Sequence, residues 1–288
     1  MMDLSIIILS YNTKNLLDSC LASIYDNYKN QNFEIIVVDN SSTDDSVAMI
    51  KKKYPKVLLI ESQKNLGYSA GNNLGLAKSQ GRNILFLNSD TKILGDSLDI
   101  MVKYLDAEEE IGIIGPRLIN PDQTLQKSVG NFYSLGNVAL MLFGGGRLGL
   151  FRNSPDKYLV VDWISGSCMM VKRSVFKKAG LLDENLFMYM EEVEFCYRAK
   201  MKGILTGFIP EAKVIHQELG SSKNGREQAI VNIYKGLIYF YRKYDSSGKL
   251  LILKFLLKAK AYLAKTLGLI TGNNHLIETY DQALRFLA

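Results

Sequence analysis

The sequence predicts an α/β fold: a mostly parallel, doubly wound, Rossmann-like sheet flanked by helices, with a helical C-terminal extension. Three observations predict it. Over the first 120 residues, short β-branched runs alternate with helical patterns, the order expected when each strand is followed by a crossover helix. The runs are apolar almost throughout, as in strands covered on both faces. After Gly225 the pattern turns helical and stays so.

The strand runs are 4–9 (LSIIIL), 33–39 (FEIIVVD), 57–61 (VLLIE) and 83–87 (NILFL), with another expected at 111–115. Between them, helical spacing predicts helices over 14–25, 44–53, 69–78 and 97–106. Residues 121–161 lose this rhythm and contain Gly144-Gly145-Gly146, so a mobile loop region is expected there. A second patterned block follows, with strands over 167–171 and 204–209 and helices over 173–179 and 191–202. The helical tail breaks near Ser246-Ser247-Gly248 and Thr271-Gly272-Asn273.

Composition sets bounds on function. The chain has 288 residues, 47% apolar and 22% charged. That is ordinary globular usage and argues against a disordered, collagenous or coiled-coil protein. Mean hydropathy is +0.00, and no apolar run reaches the roughly 20 residues of a spanning helix. No basic region precedes the first apolar stretch, so no signal peptide is expected. Cys20, Cys168 and Cys196 are odd in number and far apart. This speaks against a disulfide framework or cysteine zinc site and suits a reducing cytoplasm. The net charge of +6 is unevenly placed, since residues 235–265 carry eight basic side chains against Asp245 alone. Such asymmetry points to a membrane surface or nucleic acid as partner of the tail rather than of the body.

In open α/β sheets, ligands bind beyond the carboxyl ends of the strands. Ser10-Tyr11-Asn12 follows the first strand, and Asp39-Asn40-Ser41-Ser42 ends the second. After the third come Asn65, Gly67, Gly71 and Asn72, and the fourth ends in Asn88-Ser89-Asp90. Any one cluster reads more readily as a turn with a helix cap; four on one edge point to a polar ligand site. The turn after the first strand, Ser10-Tyr11-Asn12-Thr13-Lys14, is not the G-x-G-x-x-G of a dinucleotide fold, and no G-x-x-x-x-G-K-[ST] loop is present. The Asn88-x-Asp90 carboxylate offers another grip: a hard divalent cation that itself holds a diphosphate.

Seven stretches carry a further signal: 5–12 (SIIILSYN), 37–46 (VVDNSSTDDS), 65–75 (NLGYSAGNNLG), 86–91 (FLNSDT), 163–173 (WISGSCMMVKR), 180–184 (GLLDE) and 187–198 (FMYMEEVEFCYR). In this order they resemble the family-2 glycosyltransferases of GT-A fold, especially the branch that includes rhamnosyltransferases. The resemblance implies a glycosyltransferase domain over 1–224, with a nucleotide-sugar half over about 1–120 and an acceptor half over about 121–224, ahead of a basic helical region over 225–288. It implies that Tyr11, Asn12 and Asp39 contact the nucleotide, with Asn65, Gly67 and Asn72 lining the same pocket. Asn88 and Asp90 stand where the family has its D-x-D motif, Asp90 as ligand of Mg2+ or Mn2+. Asn88 lacks the first carboxylate, which lowers the charge offered to a metal and alters the ribose contact. His216 matches a family histidine near diphosphate and metal; on spacing alone it reads equally as a capped surface histidine. The loop of Trp163 and Gly166 would lie beside donor sugar and acceptor, although a lone tryptophan is also an ordinary core residue. Asp183 and Glu184 either contact the acceptor or cap the chain that follows.

The implied activity is inverting transfer from a nucleotide sugar, of dTDP-rhamnose or UDP-hexose type. The acceptor hydroxyl would belong to a glycan or a lipid-linked glycan, as in bacterial surface polysaccharide synthesis. The competing functions are a sugar nucleotidyltransferase and a catalytically silent glycan-binding module. A nucleotidyltransferase needs a glycine-rich basic loop that residues 10–14 do not supply. For the general base, Glu194 stands four before Arg198, a spacing that favours an ion pair and a lowered pKa. Glu192 lies towards Phe195, Cys196 and Ala199, where burial raises a carboxyl. The resemblance selects Glu192 too, with Glu191 as the alternative.

In the tail, Lys254, Lys258 and Lys265 fall on one side of a helical wheel and Lys249 and Lys260 on another. An apolar arc of Leu251, Ile252, Phe255, Leu256, Ala259, Tyr262 and Leu263 lies between them. This is either a helix packed on the body with solvated lysines or a helix in an anionic membrane interface. The second places the protein on the cytoplasmic face of a membrane. Nucleic acid is the weaker partner, because no binding motif accompanies the charge.

Overall fold

The computed structural model describes residues 2–145, 151–217 and 225–287, and the side chains of 225–227 are not among those described. Gly146, the expected boundary at 224 and the residues 218–224 that follow the His216 stretch lie outside the described residues. The first half follows the predicted alternation: β1 (Leu4–Ser10), α1 (Lys14–Asn27), β2 (Phe33–Asp39), α2 (Ser46–Lys53), β3 (Leu58–Glu61), α3 (Gly67–Lys78), β4 (Asn83–Asn88), β5 (Thr91–Ile93), α4 (Ser97–Ala107) and β6 (Ile111–Ile119). β1 pairs in parallel with both β2 and β4, and β2 with β3. Helices α1, α2 and α4 pack on one face of this sheet, and α3 begins the second core on the other. The strand order β3-β2-β1-β4 reverses direction at β1, which makes the crevice beside its end the switch point of the sheet.

The second half differs from the expected pattern in three places. Residues 121–161 are not a loop region. They form β7 (Val129–Gly130), α5 (Leu135–Leu142), β8 (Arg152–Asn153) and β9 (Leu159–Val161). With β10 (Trp163–Ile164), β7 and β8 build a small three-stranded sheet. Its anchor is aromatic: Tyr133 stacks on Trp163 at 6.3 Å, and Phe151 tilts against both rings. The Trp163 indole N–H donates to the Asn131 carbonyl at 2.8 Å. Strands of two or three residues carry too little alternation to be read as strands.

The second difference is direction. β11 (Cys168–Lys172) lies between β4 and β6 and runs antiparallel to β4, with Cys168 opposite Leu87 and Lys172 opposite Asn83. The reversal delivers residues 165–167 to the carboxyl edge, where the Asn88 amide donates to the Ser167 carbonyl at 2.9 Å. The third difference is length. After α6 (Arg173–Ala179) and α7 (Glu191–Lys200), β12 runs over Leu205–His216, well past the expected end at residue 209. A register shift between Ile209 and Lys213 carries the strand past Pro210, which could not otherwise sit inside a ladder. That extension brings His216 opposite Thr91.

The tail forms α8 (Gly225–Tyr244), α9 (Ser247–Thr271) and α10 (Asn274–Leu287), broken where the sequence indicated. Its attachment to α7 is ionic at the centre. Glu194 is 0% exposed at its side chain. It accepts from Arg198 Nε and Nη2 at 2.9 and 2.8 Å, from Lys243 Nζ at 2.9 Å and from the Tyr244 hydroxyl at 2.5 Å. Burial pushes this carboxyl up, but the hydrogen bonds and charges of Arg198, Tyr244 and Lys243 outweigh it and hold the group below the ordinary glutamate range.

Glu194→Gln leaves Arg198 and Lys243 without their shared anion and should destabilise the fold by about 3 kcal/mol or more, the scale of a broken buried pair. Urea unfolding checks this. The stabilisation is present above the ordinary glutamate pKa and is lost as pH falls through the lower folded value. The gap between native and variant midpoints should therefore narrow in acid.

Candidate active site

The strand ends assemble as one edge. Ser10 stands opposite Asp39 and Leu9 opposite Asn88. The Ser10 and Thr13 hydroxyls lie 2.9 Å apart, and Thr13 donates to the Ser89 hydroxyl at 2.9 Å, joining the ends of β1 and β4. Asp39 is buried; its Oδ2 accepts from the Ser42 amide at 2.9 Å, while Oδ1 has no partner. Asn12 takes a left-handed backbone and accepts from the Thr43 amide at 2.7 Å, next to exposed Tyr11. The unmet Asp39 oxygen and the open Tyr11 ring leave a donor-accepting and a stacking surface side by side.

Two residues expected to line this pocket are held by hydrogen bonds, Asn65 on an exposed loop and Asn72 in the interior. Asn65 Oδ1 accepts from Asn40 Nδ2 and from the Gly67 amide, at 2.8 and 3.0 Å, so it shapes the loop. Asn72 is buried in α3 and donates to the Tyr68 carbonyl one turn back. Gly67 is required by geometry. Its φ is +77°, and a Cβ there would lie 2.3 Å from the Phe187 carbonyl oxygen. That close approach lets the Tyr68 amide donate to the same carbonyl at 2.6 Å.

From Asn88 a cleft of about 490 Å³ opens, lined by Tyr68, Asn88, Gln126, Arg152, the 165–167 loop, Glu191, Glu192 and His216. The size suits a small ligand. Asp90 is buried behind it, with Oδ1 3.5 Å from His216 Nε2. Gln126 fixes the histidine tautomer. Its Nε2 donates to Asn120 Oδ1 and to the His216 carbonyl, both at 2.6 Å. Its Oε1 is thereby left facing His216 Nδ1 at 2.9 Å, which must be the protonated nitrogen. Nε2 is thereby turned toward the Asp90 carboxylate, and in the neutral ring the two face each other as acceptors that a cation would join. This donor set fits a hard or borderline divalent ion, and the outer partner orients the imidazole as for a ligand. Among the described residues no three His, Cys, Asp or Glu side chains gather as a metal site. An ion held at Asp90 and His216 would need further ligands from a bound diphosphate or water.

The opposite wall is the start of α7. Tyr189 and Met190 both take left-handed conformations, with φ of +71° and +74°. Such strain in non-glycine residues is kept where surrounding structure enforces it. Here Met190 is pressed against α8, where a Cβ on Gly236 would come within 2.8 Å of its side chain. The turn aims Glu191 and Glu192 into the cleft. Glu191 is 5% exposed, and each glutamate has a buried Oε2 with no partner. Burial, then repulsion from Glu192, pushes Glu191 well above the ordinary range. Burial also raises Glu192, but backbone hydrogen bonds and the positive Arg152 restrain the rise. In a like-charged pair one proton is held on one member. The upward shift is the stronger at Glu191, which burial and the neighbouring Glu192 both drive.

Three expected site residues stand elsewhere. Trp163 is 1% exposed and does not reach the cleft; Arg152 covers its ring at 5.2 Å and faces the cleft in its place. Asp183 and Glu184 border a separate depression with Asn73, Arg198 and Lys243. Burial raises the Asp183 carboxyl, but hydrogen bonds from Lys243, Tyr239 and Asn185 bring it down to about 2. Glu184 accepts from Asn73 at 2.9 Å. Both hold the fold together. Gly166 does line the cleft, and its carbonyl accepts from the Tyr68 hydroxyl at 2.6 Å. Tyr68, Arg152 and Gln126 also line the cleft, and sequence reasoning assigns none of them a role. Tyr68 lay within a matched stretch, whereas Arg152 and Gln126 fall in the segment taken for a loop.

The family model described as glycosyl transferase family 2 matches residues 5–180. The low-salt glycan biosynthesis hexosyltransferase of Haloferax volcanii is 32% identical over 232 residues, which cover 75% of this chain and 67% of that protein. The N-acetylglucosaminyl-diphospho-decaprenol L-rhamnosyltransferase of Mycobacterium tuberculosis is 29% identical over 222 residues, 68% of this chain and 69% of that one. Among solved structures, the mannosyltransferase of Pyrobaculum calidifontis in complex with GDP-Man and Mn2+ superposes with a TM-score of 0.60 at 16% identity. That likeness covers 98% of this chain and 74% of the other and establishes the fold.

The unpaired carboxyls have a cost in stability. Glu191 binds a proton more tightly in the folded than in the unfolded chain, so stability falls as pH rises above about 4.5. Glu191→Gln carries no such charge. Its melting temperature should exceed that of the native protein by a margin that widens from pH 5 towards pH 8. A margin independent of pH would contradict the raised pKa.

Proposed function

The chain belongs to glycosyltransferase family 2, and from that premise we propose that it moves a sugar from a nucleotide-sugar donor, with inversion, to a hydroxyl of a glycan or lipid-linked acceptor. One observation carries the proposal: His216, backed by Asp90, lines the same cleft as a pair of buried glutamates that each keep an unpartnered oxygen. The first arrangement suits a cation with its diphosphate, and the second suits a proton acceptor.

In this proposal Tyr11, Asn12 and Asp39 hold the base and ribose, and Asn88 sits where ribose and diphosphate join. Asp90 and His216 hold a divalent cation, Mg2+ or Mn2+. When bound, the cation offsets the charge of the departing diphosphate. Arg152, on the wall beside Glu192, supplies positive charge to the same region. Glu192 takes the proton of the acceptor hydroxyl, whose oxygen attacks the anomeric carbon from the face opposite the diphosphate. The new carbon–oxygen bond forms as the bond to the diphosphate breaks, so the configuration inverts. Glu191, protonated, hydrogen-bonds rather than repels.

The donor proposed is of dTDP-rhamnose or UDP-hexose type, in keeping with relatives named for rhamnosyl and hexosyl transfer. The setting proposed is surface polysaccharide synthesis at the cytoplasmic face of a membrane, touched through the C-terminal region. No helix among the described residues is long and apolar enough to cross a membrane. A sugar nucleotidyltransferase is disfavoured by the turn after β1, Ser10-Tyr11-Asn12-Thr13-Lys14, which offers no glycine-rich grip on a triphosphate.

A panel of nucleotide sugars, screened by thermal shift with Mg2+ or Mn2+ and then assayed for transfer and hydrolysis, tests the proposal. A silent binding module would shift without turnover. Asp90→Ala should abolish transfer while leaving the melting temperature near native. Glu192→Gln should lower kcat by at least about 10²-fold with donor affinity little changed. A near-native Glu192→Gln beside an inactive Glu191→Gln would move the base to Glu191.

A further inference from the structure

Helix α9 has two apolar faces. One packs on the body through Leu253, Leu257, Ala261, Ala264 and Gly268. The other presents Leu251, Phe255, Tyr262, Leu263, Leu267 and Ile270 to solvent, each between 53% and 78% exposed. At about 100° per residue, Lys254, Lys258 and Lys265 border this outer face on one side and Lys249 and Lys260 on the other. Lys249 and Lys265 are tied to Asp245 and Asp281. Lys254, Lys258 and Lys260 pair with no acid among the described residues.

An apolar arc between two basic rows matches an anionic bilayer surface: side chains enter the acyl boundary while the rows meet headgroup phosphates. A second copy is a poor occupant. An isologous contact would set each lysine row against its equal. Helix α5 extends the surface. It packs against α9, exposes Leu140 and the capping Phe143, and turns Met141 into the transfer cleft.

We propose that the outer face of α9 and the exposed side of α5 form one docking surface for an anionic membrane, and that this surface opens the transfer cleft toward the bilayer. An acceptor on an apolar carrier then reaches Glu192 along α5 without leaving the membrane. What passes through the cleft rests on the proposed transfer reaction; the membrane contact does not, and it is measured without donor or acceptor.

Flotation with vesicles of phosphatidylcholine, with and without phosphatidylglycerol, tests the contact. The native protein should float with the anionic vesicles and far less with the neutral ones. Replacing Lys254, Lys258 and Lys260 by Gln should weaken binding about a hundredfold, at roughly fivefold per basic residue near an anionic surface. The exposed double variant Phe255→Ser/Leu263→Ser should lose flotation while keeping its melting temperature. For α5, Leu140→Trp is a reporter against the fully buried Trp163. Its emission should move to shorter wavelength on anionic vesicles. No flotation, flotation indifferent to lipid charge, or a dimer dispersed by the double variant would overturn the proposal. Flotation with an unmoved Leu140→Trp emission would overturn the joint surface and the opening of the cleft.

Discussion

A carboxylate closed off from water has to be neutralised where it stands, and Glu194 sets that condition for the second half of the molecule. Arg198 from its own helix meets part of the charge. Lys243 and Tyr244 of α8 meet the rest. This fixes α8 across α7, and with it the contact of Gly236 on Met190 that backs the strained turn before the helix. Two residues further on the turn, Glu191 and Glu192 receive no cation of this kind. One helix thus carries a fully compensated acid and an uncompensated pair within four positions. The compensated one holds the geometry in which the others keep raised pKa values.

The cleft itself is a product of chain direction. Four parallel strands bring Ser10, Asp39 and Asn88 to one edge. They would leave an open crevice if the sheet continued in the same sense. Because β11 runs the other way, the chain must arrive at that edge before it enters the strand. The small sheet around Trp163, the 165–167 loop and Arg152 are therefore stacked over the crevice. β12 returns in parallel with β6 and, by its irregularity at Pro210, stays long enough to bring His216 to Asp90. Tyr68 closes the arrangement, with its amide bound to Phe187 and its hydroxyl to Gly166.

What could be read from the sequence follows from how far each signal reaches along the chain. β2, α6 and the ends of the first-half helices stand within a few residues of their predicted bounds, because burial on both faces writes apolar runs that need no partner to be recognised. The Glu194–Arg198 pair was legible for the same reason: four residues on a helix fix a distance. Long-range geometry was not. Nothing local tells that Trp163 is covered by Arg152, that Asp183 finds Lys243 across 60 positions, or that Gln126 selects a tautomer of His216. Asn65 and Asn72 stand on the expected edge, but Asn65 is bonded to Asn40 and Gly67 of its loop and Asn72 is buried against its own helix. The strand expected over 204–209 runs on past Pro210 because of a register shift against β6 that no local pattern announces.

The central claim is that Asp90 and His216 hold a cation together with the donor diphosphate, across the cleft from the glutamate pair. Crystals grown with a nucleoside diphosphate and Mn2+, with data collected at the manganese absorption edge, test it most directly. The account predicts one anomalous peak bonded to Asp90 and His216 Nε2 and to the diphosphate, with the nucleoside running toward Tyr11 and Asp39. A nucleoside diphosphate ordered in the cleft with manganese elsewhere, or with none, would contradict it.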